Sequence, residues 1–216
     1  MTTTDTRPMS QRFKEGCWDL HQTAEASEFA RKMIAGTLGR EGYVRMLEQS
    51  LASMRPLDQA IRRHRGSVPA LQALVDDAQL HEPYILEDLR YFGVDPNSIE
   101  PGPAAKALAA SVARCEATDP LLLLGLHYVR EGANNGNHFV AKKLRATMNL
   151  PERDGTRHLD PYGPAQRARW DAFKTKLDEM PFTPAQRDAL VETARSMFRA
   201  IIDLHAECET AASVAR

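Results

Sequence analysis

The chain has 216 residues, with 28 Lys and Arg against 29 Asp and Glu and a formal charge of −1. That balance removes the positive field a general nucleic-acid binder needs, and the length suits one domain with a buried core. Few aromatics (6%) with abundant Ala, Leu, Arg and Glu favour helix. Cys17, Cys115 and Cys208 are far apart with no CxxC pair, so they read as free thiols of a reducing compartment rather than a disulfide framework or zinc site. The start, Met1-Thr2-Thr3-Thr4-Asp5, lacks the basic-then-apolar layout of a signal peptide. The longest apolar run, Leu121 to Leu126, is too short to cross a bilayer. The expectation is a soluble, cytoplasmic protein with no membrane anchor and no nucleic-acid partner.

Helical periodicity recurs along the chain and period-2 alternation does not. Residues 1–10 read as a disordered lead. A first helix is predicted over about 11–37, with Phe13, Cys17, Leu20, Ala24 and Phe29 near one face and Gly36 and Gly39 as C-cap glycines at its end. The second, about 40–64, carries Tyr43, Met46, Leu47, Leu51 and Met54 at spacings of three and four, and Pro56 is expected to kink or break it. A third helical stretch, about 68–92, is open to interruption at Pro83 and ends at Gly93. The segment 95–103, with three prolines, is a loop, and a helix then covers about 104–115. Asp119-Pro120 opens a long helix of about 120–148. Residues 151–164 form the longest loop. Two closing helices follow, about 164–179 and 184–211, the latter opened by Thr183 as N-cap and Pro184 at the first position. No repeat or linker divides the chain. The fold class is all-α, one domain over 11–211 with a short tail at 212–216.

Two constellations carry chemistry. His21 and Glu25 lie at i and i+4, one turn apart on the same helical face. That spacing suits a hydrogen-bonded pair, or a metal-ligating imidazole whose free N–H is held by an acceptor. Tyr128, Gly132 and Gly136 form one stripe of the long helix. Each internal glycine costs roughly 1 kcal/mol relative to alanine, so something compensates: either close packing of another helix, or a bare ridge lying against a planar ligand. A third set, His127, Glu131 and His138 with His81, Asp77, Asp203 and His205, is the one a non-heme di-iron oxidase would use, although no Glu-x-x-His pair of that class is present. The basic runs Arg62, Arg63, Arg65 and Lys142, Lys143, Arg145 are solvated faces or a docking patch.

His21-Gln22-Thr23-Ala24-Glu25-Ala26-Ser27-Glu28-Phe29 resembles the proximal-helix motif of the heme oxygenase family. The turn Gly36-Thr37-Leu38-Gly39-Arg40-Glu41-Gly42-Tyr43 is similar to the family's entry into its next helix, and Leu86-Glu87-Asp88-Leu89 with Phe92-Gly93 to a segment of bacterial members. Tyr128-Val129-Arg130-Glu131-Gly132 through Gly136 resembles the bacterial distal-helix motif, and Phe182-Thr183-Pro184 through Phe198 the last helix. The resemblance spans roughly residues 12–207. It implies a helical bundle holding heme, both cofactor and substrate, between a proximal N-terminal helix and a glycine-containing distal helix. His21 would be the axial iron ligand with Glu25 behind it, and Gly132 and Gly136 the distal wall. Lys14, Tyr128, Arg167, Arg169 and Lys174 stand where propionate partners come from. Asn134 falls where many members carry a distal aspartate, and Asn137 replaces a second consecutive glycine. The implied reaction is oxidative cleavage of heme to biliverdin, carbon monoxide and ferrous iron, using O2 and electrons from a ferredoxin or flavoprotein. The amide-rich distal segment keeps open a heme carrier or sensor that leaves the ring intact.

Overall fold

The computed structural model describes the backbone of residues 6–214 and the side chains of 6–210. Among these residues there are ten α-helices and no strand: α1 Met9–Gly16, α2 Trp18–Ala26, α3 Glu28–Ala35, α4 Gly39–His64, α5 Pro69–Leu74, α6 Glu82–Tyr91, α7 Pro103–Thr118, α8 Leu123–Met148, α9 Gln166–Asp178 and α10 Pro184–Val214. The all-α expectation holds. Met1 to Asp5 of the expected lead lie outside the described residues, as do the last two residues of the expected tail.

The predicted first helix is in fact three. Cys17 leaves helical geometry at φ −115°, ψ 2°, and Ser27 is extended at φ −60°, ψ 146°. Ser27 then caps α3, its hydroxyl accepting from the Ala30 amide at 3.2 Å. Gly36 ends α3 in the left-handed conformation, φ 71°. The chain also turns helical earlier than expected: Met9 is buried, and the Ser10 amide and hydroxyl both donate to Asp178 at 2.7 Å. Pro56 does not break α4, which runs through it; Ser53, Leu57 and Asp58 are buried around that turn and hold it. The third stretch is interrupted not at Pro83 but before it, where Val75 and Asp76 are extended. Pro83 instead sits in the first turn of α6, where a missing N–H removes no intrahelical bond. At the start of α10, Thr183 and Gln186 exchange hydrogen bonds, the Gln186 amide to Thr183 Oγ1 at 3.2 Å and the Thr183 amide to Gln186 Oε1 at 3.0 Å.

Two apolar clusters make the core. One joins Met9, Phe13, Leu57, Ile61, Leu126, Phe173 and Leu190; the other joins Phe29, Tyr43, Leu47, Leu51, Ile85, Ala141 and Leu144. On α8 they are separated by buried polar side chains: His127, Arg130, Glu131 and Asn134. That layer lies directly behind the glycine stripe.

Candidate functional site: a gap between two helices

Three successive short helices cross α8 without lying flat on it. At one end α1 is fastened to α8: the Phe13 and Tyr128 rings stack at 4.1 Å, and the Tyr128 hydroxyl donates to the Ser10 carbonyl at 3.5 Å. At the other end α3 packs on α8, where a Cβ on Gly36 would meet Lys143 Cγ and Thr147 Cγ2 at 2.9 Å. Between Tyr128 and Lys143 the helix rises about 22 Å at ~1.5 Å per residue. The intervening α2 spans that interval leaning on α10, α3 and α1 rather than on α8.

The middle of α8 is correspondingly uncovered. A Cβ on Gly136 would meet no atom of the described residues within 4 Å, Ala133 is exposed, and Phe139 is 71% exposed. Gly132 is half-buried, its notional Cβ 3.2 Å from the Trp170 indole. Gly132 thus faces the indole of α9, whereas Gly136 is not part of a helix-packing seam. That role falls to Gly125, whose Cβ would stand 2.6 Å from the Leu190 carbonyl oxygen and 3.1 Å from the Ala194 nitrogen.

His21 lies on α2, the helix that spans this interval. Its ring stacks on Trp18 at 5.4 Å and meets Phe198 of α10 edge-on at 5.7 Å. Nδ1 is buried and without a hydrogen-bond partner, with Glu25 Oε2 at 3.6 Å, while the side chain as a whole is 41% exposed. A carboxylate that near orients the Nδ1 edge and leaves Nε2 as the accessible donor nitrogen.

The other expected positions are dispersed. Lys14 is exposed on α1. Lys174 lies over the Trp170 ring at 5.8 Å and shares Asp171 with Arg167, at 3.0 and 2.7 Å. Arg167 itself is turned to solvent, and Arg169 is paired with Asp76 at 2.7 Å. Tyr128 is buried between Phe13 and Trp170, and burial raises its phenol well above the ordinary value. Asn134 is not beside the glycines. It sits about 200° round the helix from Gly132 at ~100° per residue, fully buried, its amide donating to Glu131 Oε2 at 3.4 Å.

The polar layer behind the stripe was legible only in part. Arg130, just after an apolar run, binds Asp58 of α4 through a close ion pair, the Gln79 carbonyl at 3.0 Å and His127 Nδ1 at 2.8 Å. Because a guanidinium only donates, His127 is the neutral Nε2–H tautomer, and burial followed by Arg130 pushes its pKa well down. Asp58 also accepts the Glu82 amide at 2.6 Å, at the start of α6. Glu131 accepts from the Tyr162 hydroxyl at 2.9 Å. Sequence reading singled out neither Asp58 nor Tyr162. The adjacent charges Arg130 and Glu131, just after the apolar run, were the available signal.

The residues considered for a di-iron centre are not brought together. His138 Nδ1 pairs with Asp160 at 2.9 Å, His205 Nδ1 meets Ser27 Oγ at 3.0 Å, and Asp77 pairs with Arg65. Among the described residues no three His, Cys, Asp or Glu side chains are grouped to hold a metal ion.

A family model for heme oxygenase matches residues 7–207. The chain belongs to the heme oxygenase family. Human heme oxygenase 1 is 25% identical over 207 residues, covering 93% of this chain and 72% of that one. In fold, this family member is similar to heme oxygenase-2 from Synechocystis sp. PCC 6803, whose structure is in complex with heme and NO. The TM-score there is 0.89 at 23% identity, over 97% of this chain and 88% of that one. It is also similar to the heme oxygenase from Leptospira interrogans, with a TM-score of 0.85 at 23% identity, over 93% of this chain and all (100%) of the other. No described helix of this family member is long and apolar enough to cross a membrane. Its first basic run is engaged in ion pairs, Arg62 with Glu82, Arg63 with Glu116 and Arg65 with Asp77, whereas Lys142 and Lys143 are exposed.

Proposed function

We propose that this heme oxygenase family member binds heme in the gap between α2 and α8 and opens the ring oxidatively to biliverdin, carbon monoxide and ferrous iron, with O2 and a ferredoxin or flavoprotein as electron source. The observation that carries this reading is the uncovered glycine strip of α8 under a helix that bears an imidazole with one accessible nitrogen. A flat macrocycle needs both: a donor on one face and room for the ring against the other.

The residues present fit the group. His21 Nε2 would ligate the iron, and Glu25 would hold the Nδ1 proton, fixing the tautomer and strengthening the donor. Gly132 and Gly136 would let the α8 backbone approach the opposite face, and Phe198 and Trp170 would border it with apolar rings. Lys14 and Lys174 would meet the ring's carboxylates at the exposed edge, with charge-assisted hydrogen bonds. Tyr128 and Arg167 would serve there only by exchanging their present partners, Ser10 and Asp171. Bound heme supplies the iron that activates dioxygen and the carbon framework that is opened.

A second reading, heme binding without ring opening, is favoured by one feature. The uncovered face itself carries Ala133, Gly136 and Phe139, with no ionisable group to supply protons. The two are separated by adding hemin to the apo-protein, then ascorbate or reduced ferredoxin in air. Ring opening predicts loss of the Soret band with bile-pigment absorption and carbon monoxide release. A Soret band that persists through repeated reduction contradicts it.

A further inference from the structure

Behind the uncovered face, which carries Ala133, Gly136 and Phe139, lies a buried carboxyl group, that of Glu131. We propose that Glu131 is held inside this protein as an un-ionised carboxylic acid and is the proton-holding group for chemistry at the glycine face of α8. This rests on the ring-opening reading above and names the residue that serves it.

Glu131 is buried without a counter-ion. It is completely buried, one residue before Gly132. Oε2 accepts from the Tyr162 hydroxyl at 2.9 Å and from the Asn134 amide at 3.4 Å, and Oε1 has no partner. Among the described residues no cation forms an ion pair with either oxygen. The guanidinium of its neighbour Arg130 is engaged with Asp58, the Gln79 carbonyl and His127. Arg169 of α9 faces the same region but is paired with Asp76 at 2.7 Å and stacked over the Tyr162 ring at 4.4 Å. The remaining groups that face it, Asp76 from the α5–α6 connection and Tyr84 from α6, are acidic or neutral. A buried carboxylate without a counter-ion is costly and takes up a proton instead. Burial raises the Glu131 pKa above the ordinary carboxylate value, opposed in part by the Tyr162 hydrogen bond.

The neighbouring amides define the route outward. Asn134 Oδ1 and Gln166 Oε1 are also buried acceptors without partners. The Gln166 amide donates to Asn135 Oδ1 at 3.4 Å, and the Asn135 amide donates to the Gly132 carbonyl at 2.9 Å. Asn135 is half-buried and stands about 60° from the glycine stripe at ~100° per residue. A buried water needs two to four polar partners, and Glu131 Oε1, Asn134 Oδ1 and Gln166 Oε1 are oxygens of the kind it takes. In this step the O–H bond of Glu131 breaks and its proton passes through such a water, beside the Asn135 rim, to a basic oxygen held at the glycine face. The carboxylate left behind is stabilised by the Tyr162 hydroxyl and the Asn134 amide, and solvent restores the proton. No electrons move in this step.

The test uses the apo-protein first. Infrared difference spectra across a pH titration should show a protonated-carboxyl band that persists at pH 7, shifts in D2O and is missing from Glu131→Gln. Tyr162→Phe, which removes the hydrogen bond favouring the charged form, should move the midpoint of that band to higher pH. Absence of such a band in the wild type at pH 7, or its survival in Glu131→Gln, overturns the proposal whatever the protein does with heme. With hemin, Glu131→Gln should keep the wild-type Soret band and affinity while single-turnover ring opening slows on the order of a hundredfold, with a flattened pH profile. Unchanged rate and profile in Glu131→Gln, beside a wild type that turns over, overturn this proposal alone. A wild type that never opens the ring fails the function proposed above, even where the infrared band is present.

Discussion

Replacing Gly136 by alanine should move two properties in opposite directions. The added methyl meets no atom of the described residues within 4 Å, so the apo-protein gains the helix propensity of alanine without a clash, about 1 kcal/mol. For a chain of this size that is a rise of roughly 2–4 °C in Tm. The same methyl enters the space where a macrocycle would lie. Inserting a group into a filled site costs about 1–3 kcal/mol, so hemin affinity should fall roughly five- to hundredfold. Gly136→Leu should abolish binding while leaving the apo fold intact. Gly125→Ala is the control, because its methyl would stand 2.6 Å from the Leu190 carbonyl oxygen, a backbone atom that cannot turn aside. It should lower stability by about 1–3 kcal/mol with little change in hemin affinity. Urea unfolding of the apo-proteins followed by circular dichroism gives the first quantity, and Soret titration the second. Destabilised apo Gly136→Ala would mean that the strip is covered. Unchanged hemin affinity in both the alanine and leucine variants would mean that this helix does not wall the site.

Other expectations concern the buried layer and pH. Asp58→Ala leaves Arg130 charged and buried without its partner and should cost about 3–5 kcal/mol in urea unfolding. Pairing Asp58→Leu with Arg130→Met should recover most of that loss, and failure to do so would show that the ion pair is not the source. Burial lowers the His205 pKa from 6.5 to about 4. The folded state keeps the ring neutral while the unfolded chain protonates it. The contribution is therefore intact above pH ~6.5 and is lost as pH falls towards about 4, on the order of 3 kcal/mol in all. His81 and His127, also lowered, act with the same sign. Thermal unfolding across this range should show the decline, shallower in His205→Gln; identical slopes in the two would count against His205 as a source.

Much of the fold was legible because helical periodicity and punctuation are local. Thr183-Pro184, Gly36 and the proline-rich loop at 95–103 mark ends that the structure keeps. The breaks at Cys17 and Ser27 were not legible, since what bends the chain there is how three short helices seat against α10 and α8. The polar layer shows the same limit. His127, Arg130, Glu131 and Asn134 fall at i, i+3, i+4 and i+7, a spacing that on its own reads as a solvent face. Their burial is explained only by partners as distant as Asp58, Gln79 and Tyr162. For the candidate site, the His21–Glu25 spacing and the paired glycines stand out in the sequence. Whether the glycines face a helix or a gap depends on α2 spanning α8 without resting on it.

The central claim is that the accessible nitrogen of His21 takes an axial position on a heme seated against the α8 glycines. Spectral titration of the apo-protein with hemin, beside His21→Ala, tests it most directly. Because the side chain is 41% exposed and makes no hydrogen bond through Nδ1, the variant should unfold like the wild type. The wild type should bind one hemin with a sharp Soret band, lost in His21→Ala and restored by added imidazole. Equal Soret bands in both proteins, or none in either, would contradict the account.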